Sequence, residues 1–279
     1  MHFDWHFTAV QVLWTLTFAA QLILMVVLLG RDRVRRFPWF TVSVVAAALR
    51  LLCGRELFQR LPQLTYTAVL IVFTLVVAIV GLLVIVELAR KAFAGVRRAE
   101  LIVNLLGLLL VTAGIMSMWG PWPAWKTLTA ESQLATLRVL DLIAEKTGLL
   151  VNLLNIELGL MVVIFGRGFK APWKSHTQRI VIGLSTASMG AVAVQVIWQF
   201  VLRSAQPHTQ AEARPILEFH DRLLNANGAL YVAVLVWWIV WLWIDEPDPA
   251  AARPSAPPPD VPAEAEALAE PTSDTTAAE

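Results

Sequence analysis

The sequence lacks the residue patterns on which many enzyme and metal sites depend. It contains one cysteine, Cys53, so neither an intrachain disulfide nor a thiolate metal cluster can form. The five histidines lie outside or at the edges of the long apolar runs, which argues against a haem held by two histidines inside a membrane. The H-E-x-x-H, G-x-S-x-G and Walker A motifs are also absent, and with them the familiar signatures of metalloproteases, serine hydrolases and nucleotide hydrolases.

Charged residues are scarce as well, at 15% of the 279 positions, whereas hydrophobic residues make up 57%. A soluble domain of this size could not bury so many apolar side chains. Continuous apolar runs recur along the chain, as at 71–86, and about 20 helical residues cross a hydrocarbon core about 30 Å thick. The runs do not alternate apolar with polar residues as the strands of a membrane barrel do. The expected fold class is therefore all-α, a polytopic transmembrane bundle.

We predict about seven transmembrane spans, numbered in chain order. They cover residues 6–30, 37–58, 64–90, 99–119, 136–166, 177–203 and 223–244. Span 2 contains Arg50, and an arginine at the centre of a helix costs roughly 2.5–3.5 kcal/mol on membrane insertion. Six spans are the alternative if this segment does not cross.

The distribution of basic residues favours seven spans over six, because short cytoplasmic loops collect Lys and Arg. With seven spans, three short loops on one side hold twelve basic residues. These are Arg31, Arg33, Arg35, Arg36, Arg90, Lys91, Arg97, Arg98, Arg167, Lys170, Lys174 and Arg179. The other side holds seven in longer segments, and no Lys or Arg precedes span 1. We therefore expect the N-terminus outside and the C-terminus inside a bacterial inner membrane, with span 1 retained rather than cleaved.

Residues 245–279 differ in composition from residues 1–244, which we assign to the transmembrane domain. They hold nine acidic residues, one basic residue and eight prolines, and almost no large apolar side chain. Such a segment cannot bury enough surface to offset its ordering entropy, so we expect a disordered acidic cytoplasmic tail. The tail could serve as a solubilising tether or as a docking segment for a basic cytoplasmic protein.

Span 5 carries a stripe of polar and small residues on one helix face. Its members follow one another at spacings of three and four residues, which are the spacings of a single helix face. They are Asp141, Glu145, Gly148, Asn152, Asn155 and Gly159. A polar stripe in a membrane helix faces protein or water rather than lipid, and ionisable residues in it indicate a site.

Spans 2 and 5 carry opposite charges at matching depths. At about 1.5 Å per residue, Glu145 lies about 13 Å inside the outer end of span 5, and Arg50 lies about 12 Å inside the outer end of span 2. We therefore expect one ion pair between Arg50 and Glu145 and a second between Arg55 and Asp141.

The resulting hypothesis is a polar cavity, open to the outside, between spans 2, 5, 6 and 7. Its candidate residues are Arg50, Arg55, Asp141, Glu145, Asn152, Asn155, Gln195 and Gln199. The alternative is that these residues only satisfy one another through interhelical hydrogen bonds and ion pairs.

Span 6 carries a second pattern, in which Gly183, Ala187 and Ala191 recur four residues apart. Small residues at this spacing let a neighbouring membrane helix approach closely. We therefore predict a tight helix contact along this face.

Two segments next to predicted spans resemble an uncharacterised group of bacterial seven-helix membrane proteins. They are RRFPWF at 35–40 and FGRGFKAPWKSHTQRIVIGL at 165–184. The resemblance implies a seven-helix membrane fold and brings no activity, substrate or cofactor with it.

These observations favour a non-enzymatic sensor or accessory protein with a polar pocket facing outside. A small-solute transporter or channel is the alternative, although no span has a central proline and no paired halves are visible, as carriers often show. A membrane enzyme that uses Asp141 and Glu145 as acid and base comes third, because no nucleophile or metal set accompanies them.

We expect no cofactor and no metal. A retinal would need a lysine in the last span, which has none. His2, Asp4 and His6 could hold a metal only on an ordered terminus, whereas chain termini commonly fray. The expected partners are the lipid bilayer and, through the tail, a cytoplasmic protein. A nucleic acid is not expected, and the oligomeric state is left open.

Overall fold

The computed structural model describes residues 8–58, 60–94, 98–119, 133–165, 175–205 and 209–246. Within these ranges the chain forms eight helices and no strand, so the predicted all-α fold is confirmed. The helices are α1 (Ala9–Gly30), α2 (Arg33–Arg36), α3 (Pro38–Phe58), α4 (Gln63–Ala92), α5 (Arg98–Met118), α6 (Gln133–Phe165), α7 (His176–Ala205) and α8 (Gln210–Trp243). The predicted tail lies outside the described residues beyond Glu246.

Each predicted span corresponds to one helix: span 1 to α1, and spans 2 to 7 to α3 through α8 in order. The largest difference is in α8, which begins at Gln210 rather than at 223. Its first turns are polar but capped, because the Thr209 side chain accepts a hydrogen bond from the backbone N–H of Glu212 at 3.3 Å. Arg214 and Glu218 add an ion pair at helical spacing, 3.2 Å apart. These contacts sustain a helix where hydropathy is low.

Among the described residues, five helices are long and apolar enough to cross a membrane, namely α1, α4, α6, α7 and α8. Their outward faces expose large apolar side chains, as at Val72, Val76 and Ile79 along α4. Apolar surface of this extent indicates a lipid-facing exterior. The chain is therefore an integral membrane protein. α3 does not meet the same criterion, and Arg50 and Arg55 lower its hydropathy.

Six helices form a ring in the order α1, α3, α4, α6, α7 and α8, and α8 returns to α1. α5 packs mainly against α6 and is not part of this ring. α4 also touches α7 across the ring, which separates α6 from α1, α3 and α8. Consequently α3 and α6 are not neighbours in the described part of the chain.

The two ends of the bundle differ in character. α1 and α8 finish at the same end, where the guanidinium of Arg31 lies 4.7 Å from the ring centroid of Trp243. α7 begins there, and the guanidinium of Arg179 lies 4.1 Å from the ring centroid of Trp241. We call this end, next to the arginines of α2, the basic end.

The tightly packed core lies in the half of the bundle next to the basic end. Its fully buried side chains come from the second halves of α1, α4 and α8 and from the starts of α3 and α7. They include Leu24, Leu28, Phe37, Phe40, Leu88, Ile180, Leu235 and Leu242. Dispersion contacts hold membrane helices together in such a core, because lipid tails are as apolar as the side chains.

Trp238 joins three helices inside this core. Its indole lies over Gly183 of α7, where an added Cβ would overlap the ring. Its Nε1–H donates to the backbone oxygen of Arg179 at 3.3 Å. The indole also meets the ring of Phe40 of α3 edge-on, with centroids 5.1 Å apart. The tight contact predicted at Gly183 is confirmed, and Trp238 is the side chain that fills it.

A buried carboxylate connects α3 to α4 at the same end. Glu87 of α4 accepts a hydrogen bond from the backbone N–H of Phe40, 3.1 Å from Oε2, in the first turn of α3. Lys91, one turn further along α4, lies 2.9 Å from Oε1. The carboxylate satisfies an N–H group that a helix start leaves unpaired and complements the positive end of the helix dipole. Glu87 therefore positions α3 against α4.

We expect Gly183→Ala to lower the free energy of unfolding by about 1–3 kcal/mol, because the rigid indole of Trp238 must shift to admit a methyl group. Gly148→Ala on α6 is the matched control, since a Cβ there meets nothing within 4 Å. Its stability should be unchanged or slightly higher, because alanine favours helix over glycine. Unfolding of the purified protein in mixed detergent micelles measures both, and equal stabilities would contradict the proposed role of the contact.

Candidate functional site

A cavity of about 700 Å³ lies among α1, α3, α4 and α8. It is lined by Trp14, Thr17, Gln21, Ala47, Arg50, Leu51, Gly54, Arg55, Leu70, Val77, Leu224, Asn227, Gly228 and Tyr231. Pockets for small molecules typically enclose about 300–1,000 Å³, so this space is large enough for one.

The lining is exposed near the start of α1 and buried toward the middle of the bundle. On α1, Trp14 is half-buried, whereas Gln21, about two turns further on, is only 2% exposed. On α8, Leu224 is exposed, whereas Tyr231 is half-buried. The cavity therefore opens at the end opposite the basic end and has its floor near the middle of the bundle.

The floor holds an amide and a hydroxyl group. Gln21 Nε2 donates to the hydroxyl oxygen of Tyr231 at 3.4 Å. Gln21 Oε1 is buried and has no hydrogen-bond partner among the described residues. A buried polar atom without a partner costs about 1–3 kcal/mol and is usually matched by water or a ligand. Gln21 therefore offers a bound molecule one unmatched acceptor.

Contacts at the mouth hold the lining face of α3 in place. Trp14 of α1 donates its Nε1–H to the backbone oxygen of Leu51 at 3.3 Å. The guanidinium of Arg55 lies 4.4 Å from the ring centroid of the same indole. Tyr66 of α4 donates its hydroxyl to the backbone oxygen of Gly54 at 3.2 Å. α3 is therefore fixed from α1 and from α4.

Arg50 and Arg55 are the charged side chains of the lining. On the helix they flank the face formed by Ala47, Leu51 and Gly54. Neither arginine forms an ion pair with a described residue. The cavity therefore carries positive charge that no carboxylate of the described lining residues offsets.

The predicted ion pairs between spans 2 and 5 are wrong. Arg50 and Arg55 lie on α3, and α4 packs between this helix and α6. Asp141 of α6 instead lines a separate space of about 510 Å³ next to Gln63 of α4. The predicted pair between Arg50 and Glu145 does not form, because Glu145 also lies on α6. Equal depth does not make two helices neighbours, because packing decides the order of the helices around the bundle.

The polar stripe of span 5 is turned inward only in part. Asp141 and Glu145, near the start of α6, are exposed, and Asn152 is half-buried. Asn155 is 6% exposed and donates from Nδ2 to the hydroxyl of Ser188 on α7 at 3.2 Å. The inward orientation is therefore confirmed for Asn155. This residue packs α6 against α7, and it does not line the cavity.

The two glutamines predicted from span 6 lie away from the cavity. Gln199 lines a separate space of about 230 Å³ with Trp119 and Arg203. Gln195 is half-buried one turn earlier on α7. Of the predicted residues, the cavity contains Arg50 and Arg55. Among the described residues, the cavity that contains these two arginines lies between spans 1, 2, 3 and 7 rather than between spans 2, 5, 6 and 7.

Gln21 and Tyr231 were not among the residues predicted to line a site. Thr17 and Gln21 are four residues apart in an apolar span, and so are Asn227 and Tyr231, so each pair shares a helix face. That spacing is a usable signal. A pair of polar residues is a weaker pattern than the longer polar stripe of span 5.

A second group of intramembrane polar contacts attaches α5 to α6. Glu157 of α6 accepts a hydrogen bond from the hydroxyl of Thr112 on α5 and borders a mainly apolar space of about 310 Å³. Lys146 donates to the backbone oxygen of Trp119, just beyond the end of α5. These partners give both ionisable residues a structural role.

The residues at the N-terminus that could hold a metal, His2, Asp4 and His6, lie outside the described residues. Within the described ranges, no three His, Cys, Asp or Glu side chains are grouped so as to hold a metal. Residues 166–174, which carry part of the resemblance, also lie outside the described ranges.

Comparisons with protein-family models, with curated proteins and with solved structures find no match for this chain. They therefore add no support to the resemblance to bacterial seven-helix proteins. The geometry of the cavity is the basis for a functional conclusion.

We expect Tyr231→Phe to lower the free energy of unfolding by about 1–3 kcal/mol, because Gln21 Nε2 loses its partner inside the protein. Gln21→Met should cost less than Tyr231→Phe, because it removes the hydrogen bond to Tyr231 together with an acceptor that has no partner among the described residues. In the Gln21→Met background, Tyr231→Phe should cost little. A double-mutant cycle measured by detergent unfolding checks this, and equal costs in the two backgrounds would show that the amide and hydroxyl do not interact.

Proposed function

We propose that this protein is a seven-span sensor or accessory protein of a bacterial inner membrane that binds a small molecule in the cavity among α1, α3, α4 and α8. In this arrangement α1 and α3 through α8 cross the membrane, with the N-terminus outside and the C-terminus inside. The observation that carries the proposal is a cavity with a polar floor that opens at one end of the bundle.

Packed apolar side chains separate the floor of the cavity from the basic end. Beyond Gln21 on α1, Leu24 and Leu28 are fully buried, and Leu235 on α8 is fully buried at the same level. A polar solute crossing this layer would lose its hydration without gaining a partner. The layer supports binding from one side of the membrane over passage through it.

The basic end supports the proposed orientation. Arg31 and Arg179 lie over the rings of Trp243 and Trp241 at this end. Tryptophans concentrate at membrane interfaces, and arginines concentrate on the cytoplasmic side. With the basic end inside, the cavity faces outside.

The proposal requires α3 to cross the membrane although it carries two arginines. Its 21 residues are long enough to span a hydrocarbon core. Both Arg50 and Arg55 border the cavity, so their guanidinium groups can be hydrated there. Hydration in the cavity therefore lowers the free-energy cost of placing these arginines within span 2.

In this orientation, the acidic tail after α8 would lie in the cytoplasm, where we propose that it contacts a partner protein and reports occupancy of the cavity. No reaction is proposed, because Asp141 and Glu145 do not line the cavity. A small-solute transporter remains the alternative. Such a protein would expose the same cavity to each side of the membrane in turn.

The proposal is tested by measuring from which side of the membrane a thiol reagent reaches the cavity. In a Cys53→Ala background, Gly54→Cys places a single thiol in the lining, where a Cβ makes an ordinary 3.9 Å contact with Leu70. We expect a membrane-impermeant thiol reagent to label this cysteine in intact cells and not in inverted membrane vesicles. Mass shift on a gel measures the labelled fraction.

Gly30→Cys at the basic end is the matched control, because a Cβ there also has open space. It should show the opposite pattern, with labelling in inverted vesicles alone. Labelling of Gly54→Cys from both sides would instead support the transporter, and labelling only in inverted vesicles would reverse the orientation.

A further inference from the structure

We infer that the ligand of this cavity is a small organic anion with a carboxylate or phosphate at one end, an apolar middle, and a hydroxyl or other hydrogen-bond donor at the far end. The inference rests on the proposed function, because it requires a cavity that solutes reach from outside. It is drawn from the charge, the unmatched acceptor and the dimensions of the lining.

The positive charge of the cavity lining indicates that the ligand carries an anionic group. Arg50 and Arg55 flank one face of α3, and no carboxylate of a described residue lines the cavity. Glu56, beside Arg55 in the sequence, lies 4.0 Å from Arg60 and points its charge elsewhere. Arginine binds carboxylates and phosphates through paired N–H donors. A cationic ligand would be repelled by the positive charge of Arg50 and Arg55.

The unpaired acceptor at the floor of the cavity indicates that the ligand carries a hydrogen-bond donor. The Nε2 group of Gln21 donates to Tyr231, which leaves Oε1 as an acceptor that is buried and unmatched among the described residues. A ligand hydroxyl placed there would complete the amide's hydrogen bonding. A ligand that ended in a methyl group would leave the same oxygen without a partner.

The depth of the cavity indicates the length of the ligand. Trp14 at the mouth and Gln21 at the floor are separated by about 10 Å along α1 at 1.5 Å per residue. An extended chain advances about 1.1–1.2 Å per bond, so about nine bonds, counted from a carboxylate oxygen to the hydroxyl oxygen, span this distance. Leu51, Leu70 and Val77 supply apolar lining for such a chain. Inorganic phosphate would reach the arginines but not the amide of Gln21.

Protection of the Gly54→Cys thiol tests the inference in the full chain, carried in phosphatidylcholine nanodiscs with Cys53→Ala. The probe is 8-hydroxyoctanoate, and the comparison compounds are octanoate, 1,8-octanediol and inorganic phosphate. We expect 8-hydroxyoctanoate to slow labelling at about tenfold lower concentration than octanoate, because it adds one hydrogen bond to a buried acceptor. The diol and inorganic phosphate should protect at least about tenfold less well than 8-hydroxyoctanoate.

Substitutions assign each part of the ligand to a residue. Gln21→Met should remove the difference between 8-hydroxyoctanoate and octanoate. Arg50→Gln should raise the protecting concentration of both anions about tenfold and leave the diol unchanged. Arg214→Gln is the matched control, because that arginine is exposed on α8, lies outside the lining and pairs with Glu218. It should change none of these values.

Two outcomes overturn the inference while leaving the proposed function in place. In the first, Gly54→Cys is labelled from outside but no compound protects it. In the second, the diol protects as well as the anions, or Arg50→Gln has no effect. A cavity that is not labelled from outside refutes the proposed function itself. Gly228→Cys repeats the measurement if Gly54→Cys does not fold, since a Cβ there makes an ordinary 3.6 Å contact with Leu13.

Discussion

The bundle depends on the contact between Trp238 and Gly183. Only glycine leaves room for the indole on α7, and the same ring meets Phe40 of α3, whose backbone N–H is bound by Glu87 of α4. One continuous set of contacts therefore joins α7, α8, α3 and α4 at the basic end. Because lipid is as apolar as the helices, association rests on such close packing and on a few hydrogen bonds.

Because the basic end supplies this close packing, the opposite end of the bundle can hold polar groups whose hydrogen bonds or charges are not matched by other described residues. Gln21 Oε1 has no partner among the described residues, and Arg50 has no ion-pair partner there. A buried acceptor without a partner is costly, and the proposed binding site rests on its position at the floor of a cavity that Arg50 also lines. A ligand that bridged Gln21 and Arg50 would fix α3 relative to α1, which is a change that a partner protein could detect.

Much of the helical architecture was predictable from the sequence, because hydropathy along a single segment reports whether that segment lies in lipid. The start of α8 was not, since a capped polar helix and a polar loop have similar hydropathy. Arg50 and Arg55 border a cavity, although not the predicted one, and Asp141 and Glu145 were placed opposite them on depth alone. Depth is a property of one helix, whereas contact is a property of two.

The sequence by itself determined that the chain is helical, where its helices lie, and that the inner face of α6 includes Asn155. These features follow from composition and periodicity, which act within one segment. Only the tertiary structure decided that α4 separates α3 from α6, and that Gln21 and Tyr231 meet at the floor of a cavity. Which helices become neighbours depends on how distant surfaces fit, as Trp238 fits over Gly183, and no local pattern carries that information.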